Sequence, residues 1–159
     1  MRSHEINRFL INFDAAMNLA EQVRASIHAE NLDDSVARFI RFTDIEGEPL
    51  DFKAAVFQGR FVARFEISKH TMRGQTFMAG QYAFFEVVNG QEVRLPFAVR
   101  FVPQTHVVLP DDSTLEIPDA VSEEGKRYAV QQATRVKDAI SEALVSYVIE
   151  KSQTWTLDH

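Results

Sequence analysis

Residues 76–101 read TFMAGQYAFFEVVNGQEVRLPFAVRF. Two alternating apolar runs flank Asn89-Gly90, the dipeptide that best tolerates the paired positive φ angles of a type I′ turn. A two-residue loop there sets the register by counting outward. Val88 faces Gln91, Glu86 faces Val93, Phe84 faces Leu95, Tyr82 faces Phe97, Gly80 faces Val99 and Met78 faces Phe101. This face is apolar almost throughout and must point into the core. The other face pairs Val87 with Glu92, Phe85 with Arg94, Ala83 with Pro96, Gln81 with Ala98 and Ala79 with Arg100. Its centre is small and smooth, and its flanks carry Phe85, Arg94 and Arg100.

Gln58-Gly59 reads as a second hairpin turn. Counting from it places Val56 opposite Phe61, Ala54 opposite Ala63 and Phe52 opposite Phe65 on the core side. The outer side pairs Phe57 with Arg60, Ala55 with Val62 and Lys53 with Arg64. Both hairpins thus give an outer surface of small residues, aromatics and arginines. An ordinary solvated sheet face carries more Thr, Lys, Glu and Ser.

The period-two pattern extends over 36–43, 50–57, 60–68, 76–88, 91–102, 105–109 and 114–117, with turn residues between the runs. The connections are too short for parallel crossovers, so successive strands pair antiparallel in a meander of about six strands. On either side the period changes to helical. Ile6, Phe9, Phe13, Ala16, Ala20, Val23 and Ile27 share one face of a helix over 4–30, with Ser3 as its N-cap and Asn31 at its end. Ala129, Ala133, Val136, Ile140, Ala143, Leu144 and Tyr147 share a face of a second helix over 119–151. Each helix spans about 40 Å, as does a 12-residue strand, so both can lie along one face of the sheet. The expected fold is α+β, one domain over 1–159 with a short tail at 152–159.

With 159 residues, 45% hydrophobic and 25% charged, the chain can bury a substantial core. Thirteen phenylalanines stand out, and the absence of cysteine excludes disulfides and thiolate chemistry. The N-terminal residues show no signal-peptide pattern and no run reaches membrane-span length, which points to the cytoplasm and away from membranes. A net charge of −6 works against long-range attraction to nucleic acid.

Motifs for chemistry are sparse. There is no phosphate-binding glycine loop, no G-x-S-x-G and no H-E-x-x-H. His4, His28, His70, His106 and His159 show no helical metal spacing, although His70 and His106 sit near strand ends. Asp111, Asp112 and Glu116 surround one turn, and Glu46, Glu48 and Asp51 another; acidic turn residues ordinarily cap local backbone groups. Glu86 ends the core face, where an inward carboxylate either acts as a base or pairs with a cation at the rim. Tyr82 and Tyr147 bring hydroxyls toward the core.

The expected function is therefore a non-enzymatic protein-interaction or assembly role, without cofactor or metal. Its surface is the outer sheet face, with Phe57, Arg60, Arg64, Phe85, Arg94 and Arg100 as contacts and Trp155 of the tail as a further anchor. The partner is another protein or a second copy of the chain. Two alternatives follow from the same residues. Alternating arginine and phenylalanine on a sheet can hold single-stranded nucleic acid, with Glu66 and Glu92 available to neutralise the arginines. A strongly curved sheet under a helix can also leave a small-ligand pocket or an enzyme site.

Overall fold

A computed structural model describes residues 2–28, 36, 38–102, 106–116 and 123–157. Helix α1 (Ser3–Ser26) precedes seven strands, β1 (Ile40–Asp44), β2 (Phe52–Val56), β3 (Gly59–Met72), β4 (Gln75–Val88), β5 (Gln91–Val102), β6 (His106–Val108) and β7 (Thr114–Glu116). Helix α2 (Glu123–Lys151) follows. The strands form one curled antiparallel sheet in sequential order, β1 to β7. The class is α+β, with both helices on one face.

The helix ends differ slightly from expectation. α1 begins at Ser3, with Arg2 at the N-cap and no side-chain cap bond. It stops at Ser26, with Ile27 in a right-handed conformation at its end. Residues 29–31 and 119–122, assigned to the helices or their ends from sequence, lie outside the described residues.

Turn chemistry explains the strand lengths. Asn89 and Gly90 have φ of 52° and 78°, as a type I′ turn requires. Arg73 and Gly74 repeat the pattern at 52° and 77° and close the hairpin between β3 and β4. The sequence pattern ends β3 at Ser68, because polar Lys69, His70 and Thr71 blur its alternation; the strand runs on to Met72.

The register near Asn89-Gly90 is the expected one, from Val88↔Gln91 to Phe85↔Arg94. Beyond Phe85 it slips. Ala83 pairs with Ala98 rather than Pro96, Tyr82 with Val99 rather than Phe97, and Gly80 with Phe101 rather than Val99. Leu95, Pro96 and Phe97 therefore stand opposite Phe84 alone. Pro96 has no N–H to donate, so an interior strand accommodates it in a bulge. The slip is two residues, so inner and outer faces are unchanged.

The β2–β3 turn slips by two in the same way. Its loop is Phe57-Gln58, with Val56↔Gly59, Ala54↔Phe61 and Phe52↔Ala63. Phe57 takes a φ of 52°. A Cβ on Gly59 would stand 2.9 Å from the Phe61 ring and 3.2 Å from Val56 O, so the tight pairing needs glycine.

The core lies between the sheet and the helices. Phe52, Phe61, Tyr82, Phe84 and Phe101 are buried against Ala16, Ala20 and Val23 of α1 and Val136, Ile140 and Leu144 of α2. Small side chains let α1 approach the sheet closely. A Cβ on Gly80 would meet Ala16 Cβ at 3.2 Å and Phe65 Cζ at 2.3 Å. Phe65 cannot easily yield, since its ring is packed on Phe13, Tyr82 and Phe101 at centroid distances of 5.8, 5.6 and 6.2 Å. Gly80→Ala is therefore expected to destabilise the chain by about 1–3 kcal/mol. In urea titrations, the double variant with Phe65→Leu should recover part of that loss. Equal stability of Gly80→Ala and wild type would show that Phe65 and Ala16 do not confine this position.

Candidate interaction surface

Strand alternation places Arg41, Lys53, Arg60, Arg64, Arg94 and Arg100 on the face away from the helices. On the same stretch of β1–β5 the carboxylates are Glu66 and Glu92. The outer face is thus cationic on a chain whose net charge is −6.

Its centre neutralises itself. Arg64 reaches across β4 to Glu92, with Nε–Oε1 at 2.7 Å and Nη2–Oε2 at 2.8 Å. Arg94 crosses in the opposite sense to Glu66, at 3.0 and 3.1 Å. Both are two-bond guanidinium–carboxylate pairs, the geometry that best uses the arginine fork. By register these diagonals pass over Phe85 and Ala83. The Arg94 guanidinium stands 5.1 Å from the Phe85 ring centroid, and Ala83 is 1% exposed. Gln81 adds a bond to Glu66 at 2.7 Å. Asp51 accepts from Phe65 N at 2.8 Å and from Arg64 at 3.2 Å, which ties the start of β2 to β3. Arg64, Phe85 and Arg94 thus belong to an internal lattice. Arg100 is exposed, opposite Gln81 and Val108, without an ion pair among the described residues.

The corner over β1–β3 is different. One cross-strand row reads Arg41–Ala55–Arg60, two arginines flanking a small residue. Arg38, Phe39 and Phe57 join them around a concavity of about 550 Å³. Phe39 and Phe57 lie 5.3 Å apart by ring centroids and are 44% and 53% exposed. Among the described residues, none of these three arginines has a carboxylate partner; Arg60 donates only to Gly59 O at 3.2 Å. Phe57 sits in the turn rather than on the strand face. Arg38, Phe39 and Arg41 escape a sequence reading that counts register only within hairpins, because β1 joins the row through β2. The available signal is the close spacing of Arg38 and Arg41 around Phe39-Ile40.

Trp155 is 77% exposed beyond the end of α2, as is most of Leu157, so neither side chain is buried against the sheet.

The other candidates resolve as structural groups. Glu86 accepts from Tyr147 Oη at 3.0 Å and Lys151 Nζ at 2.6 Å, fastening α2 to β4. His70 on β3 and His106 on β6 are three strand spacings apart, about 14 Å. Asp111 accepts from Ser113 N at 3.0 Å and caps its own turn. His28 and Arg24 both contact Asp44. Among the described residues no His, Asp and Glu cluster could hold a metal ion, and no helix is long and apolar enough to cross a membrane. A groove of about 720 Å³ runs along α2 beside Pro96 and Phe97 and opens to solvent. Its described titratable groups are Asp111, Glu142, Tyr147 and Glu150.

No protein-family model, curated protein or solved structure matches this chain.

The lattice makes a pH prediction. Hydrogen bonds from Arg64 and Arg94 hold the Glu92 and Glu66 carboxyls below their ordinary range. A lowered folded pKa means the stabilisation is complete above the unfolded value of about 4.3 and is lost as pH falls through the folded values. Each pair is partly solvated, so the effect is modest. The Glu66→Gln/Glu92→Gln variant should show a shallower fall of urea midpoint across the acid limb than wild type. Superimposable acid limbs would show that the diagonals do not stabilise the fold.

Proposed function

We propose that this chain is a non-enzymatic binding protein of the cytoplasm that docks another protein on the outer face of its sheet. The observation that carries this is the corner at Arg38, Arg41 and Arg60. Among the described residues these arginines have no carboxylate partner, and they stand beside an exposed phenylalanine pair, while Arg64 and Arg94 on the same face are neutralised internally. Exposed aromatics and arginines around a small residue have the composition of an interaction hot spot. Arg60 and Phe57 are its expected contacts from sequence, joined by Arg38, Phe39 and Arg41. Arg100 and Trp155 are exposed and extend the available surface. Arg64, Phe85 and Arg94 keep the sheet beneath it in shape.

Single-stranded nucleic acid is the second reading. It is favoured by the same phenylalanine pair, which offers a stacking surface next to guanidinium groups.

A tagged chain and its Arg41→Glu/Arg60→Glu variant separate the two. Both positions are exposed or edge-facing, so the variant should keep the wild-type melting curve within about 0.5 kcal/mol. Affinity purification should recover a protein with wild type that is lost from the variant and unaffected by nuclease. The same recovered proteins from both chains would remove the corner as the docking surface. Nuclease-sensitive recovery would favour nucleic acid.

A further inference from the structure

We infer that the corner over β1–β3 takes a short acidic segment of a partner polypeptide, with an apolar side chain between its carboxylates. The inference rests on the docking surface proposed above and specifies what that surface reads.

Charge complementarity sets the sign. Three guanidinium groups without carboxylate partners among the described residues surround one concavity. Among the described residues of the neighbouring strands and loops, Asp44 is engaged by Arg24 and His28, Asp51 by Arg64 and Phe65 N, and Glu92 by Arg64. A planar guanidinium matches a carboxylate bidentately, and arginine clusters are a recurrent means of capturing acidic motifs.

Spacing sets the form of the ligand. Arg41 and Arg60 are separated by the β2 strand, two strand spacings or about 10 Å. An extended chain advances about 3.3 Å per residue, so carboxylates two or three positions apart span about 7–10 Å. Ala55 lies between the two arginines and leaves room for backbone to approach. Phe39 and Phe57 supply an apolar contact for a side chain placed between the acids.

Extent distinguishes this ligand from nucleic acid. A single strand is held along a groove that follows its backbone with positive charge. Here the cationic region ends quickly. In one direction the face becomes the Arg64–Glu92 and Arg94–Glu66 pairs. At the far end of β1 the turn carries Glu46 and Glu48. A long polyanion would leave the corner within a few residues and meet neutral or negative surface. A short acidic peptide would not.

The test uses fluorescence anisotropy with the full chain and three labelled probes: a Glu-Leu-Glu-Leu-Glu peptide, its Gln-Leu-Gln-Leu-Gln counterpart, and oligo(dT). The glutamate peptide should bind and weaken as salt is raised. Arg41→Glu and Arg60→Glu should each weaken it by about tenfold or more, the scale of one charge-assisted bond. Arg135→Glu, exposed on α2 and away from the outer sheet face, should bind like wild type. Equal binding of the glutamine peptide, tighter binding of oligo(dT), or wild-type binding by Arg41→Glu and Arg60→Glu would each overturn the inference. If the glutamate peptide fails to bind while the double variant still loses its recovered protein, the acidic-segment inference falls and the docking surface stands. If the recovered proteins are also unchanged, both fall.

Discussion

The Tyr82 hydroxyl is the joint on which the architecture turns. It is buried on β4 and donates to Leu50 O at 2.7 Å, with Ala20 O at 3.2 Å as a second acceptor. One side chain thereby connects the middle of the sheet, the backbone of α1 and the loop that launches β2. Burying the hydroxyl without an acceptor would cost free energy, so the three elements are positioned together. The ring also makes edge contacts with Phe52, Phe65 and Phe101, at 5.2, 5.6 and 5.8 Å between centroids. Gly80, two residues earlier, lacks a Cβ that would run into the Phe65 ring and crowd Ala16 of α1. Directly after Leu50, Asp51 binds Phe65 N and Arg64, and β2 begins at Phe52. The placement of β2, and so of the corner built on Ala55, follows from contacts made in the core.

The division of the sheet into two faces was legible in the sequence because it depends on parity. Side chains alternate along a strand, so a register error of one residue would invert every assignment and an error of two inverts none. Both departures from the straight ladders, at Pro96 and at Phe57-Gln58, are of two residues. Selection for a buried inner face explains why only even slips are tolerated. Phe61, Phe84 and Phe101 point inward under either register. The exact cross-strand partners were not legible, because they depend on how a proline and a turn are accommodated. Pro96 signals that a bulge is needed, but nothing in its neighbours says how many residues the bulge takes up.

Charge on the outer face was harder to read for a different reason. Counting register identifies residues directly opposite one another. Arg64 and Arg94 instead pair with carboxylates two rows away on a strand beyond the neighbour. A long guanidinium side chain can make that reach, and a short one could not. Sequence position therefore showed four arginines of equal standing, Arg60, Arg64, Arg94 and Arg100. In the folded chain Arg64 and Arg94 are lattice members, while Arg60 and Arg100 have no ion pair among the described residues.

That division gives the corner its meaning. Arginine on an outermost strand has a simple structural use, since charge there discourages pairing with another sheet edge. This use accounts for Arg41 on β1. It does not account for Arg60, which lies on β3, two strands in from that edge. Nor does it explain why Phe39 and Phe57 lie against each other in the open beside the two arginines when burial would be favourable. Edge protection would be served by lysine with no aromatic beside it. A paired row of arginines with an exposed aromatic shelf concentrates attraction and contact area at one place. Elsewhere on the same face, Glu66 and Glu92 cancel the charges of Arg94 and Arg64, which leaves the corner as a place where positive charge stands uncompensated among the described residues.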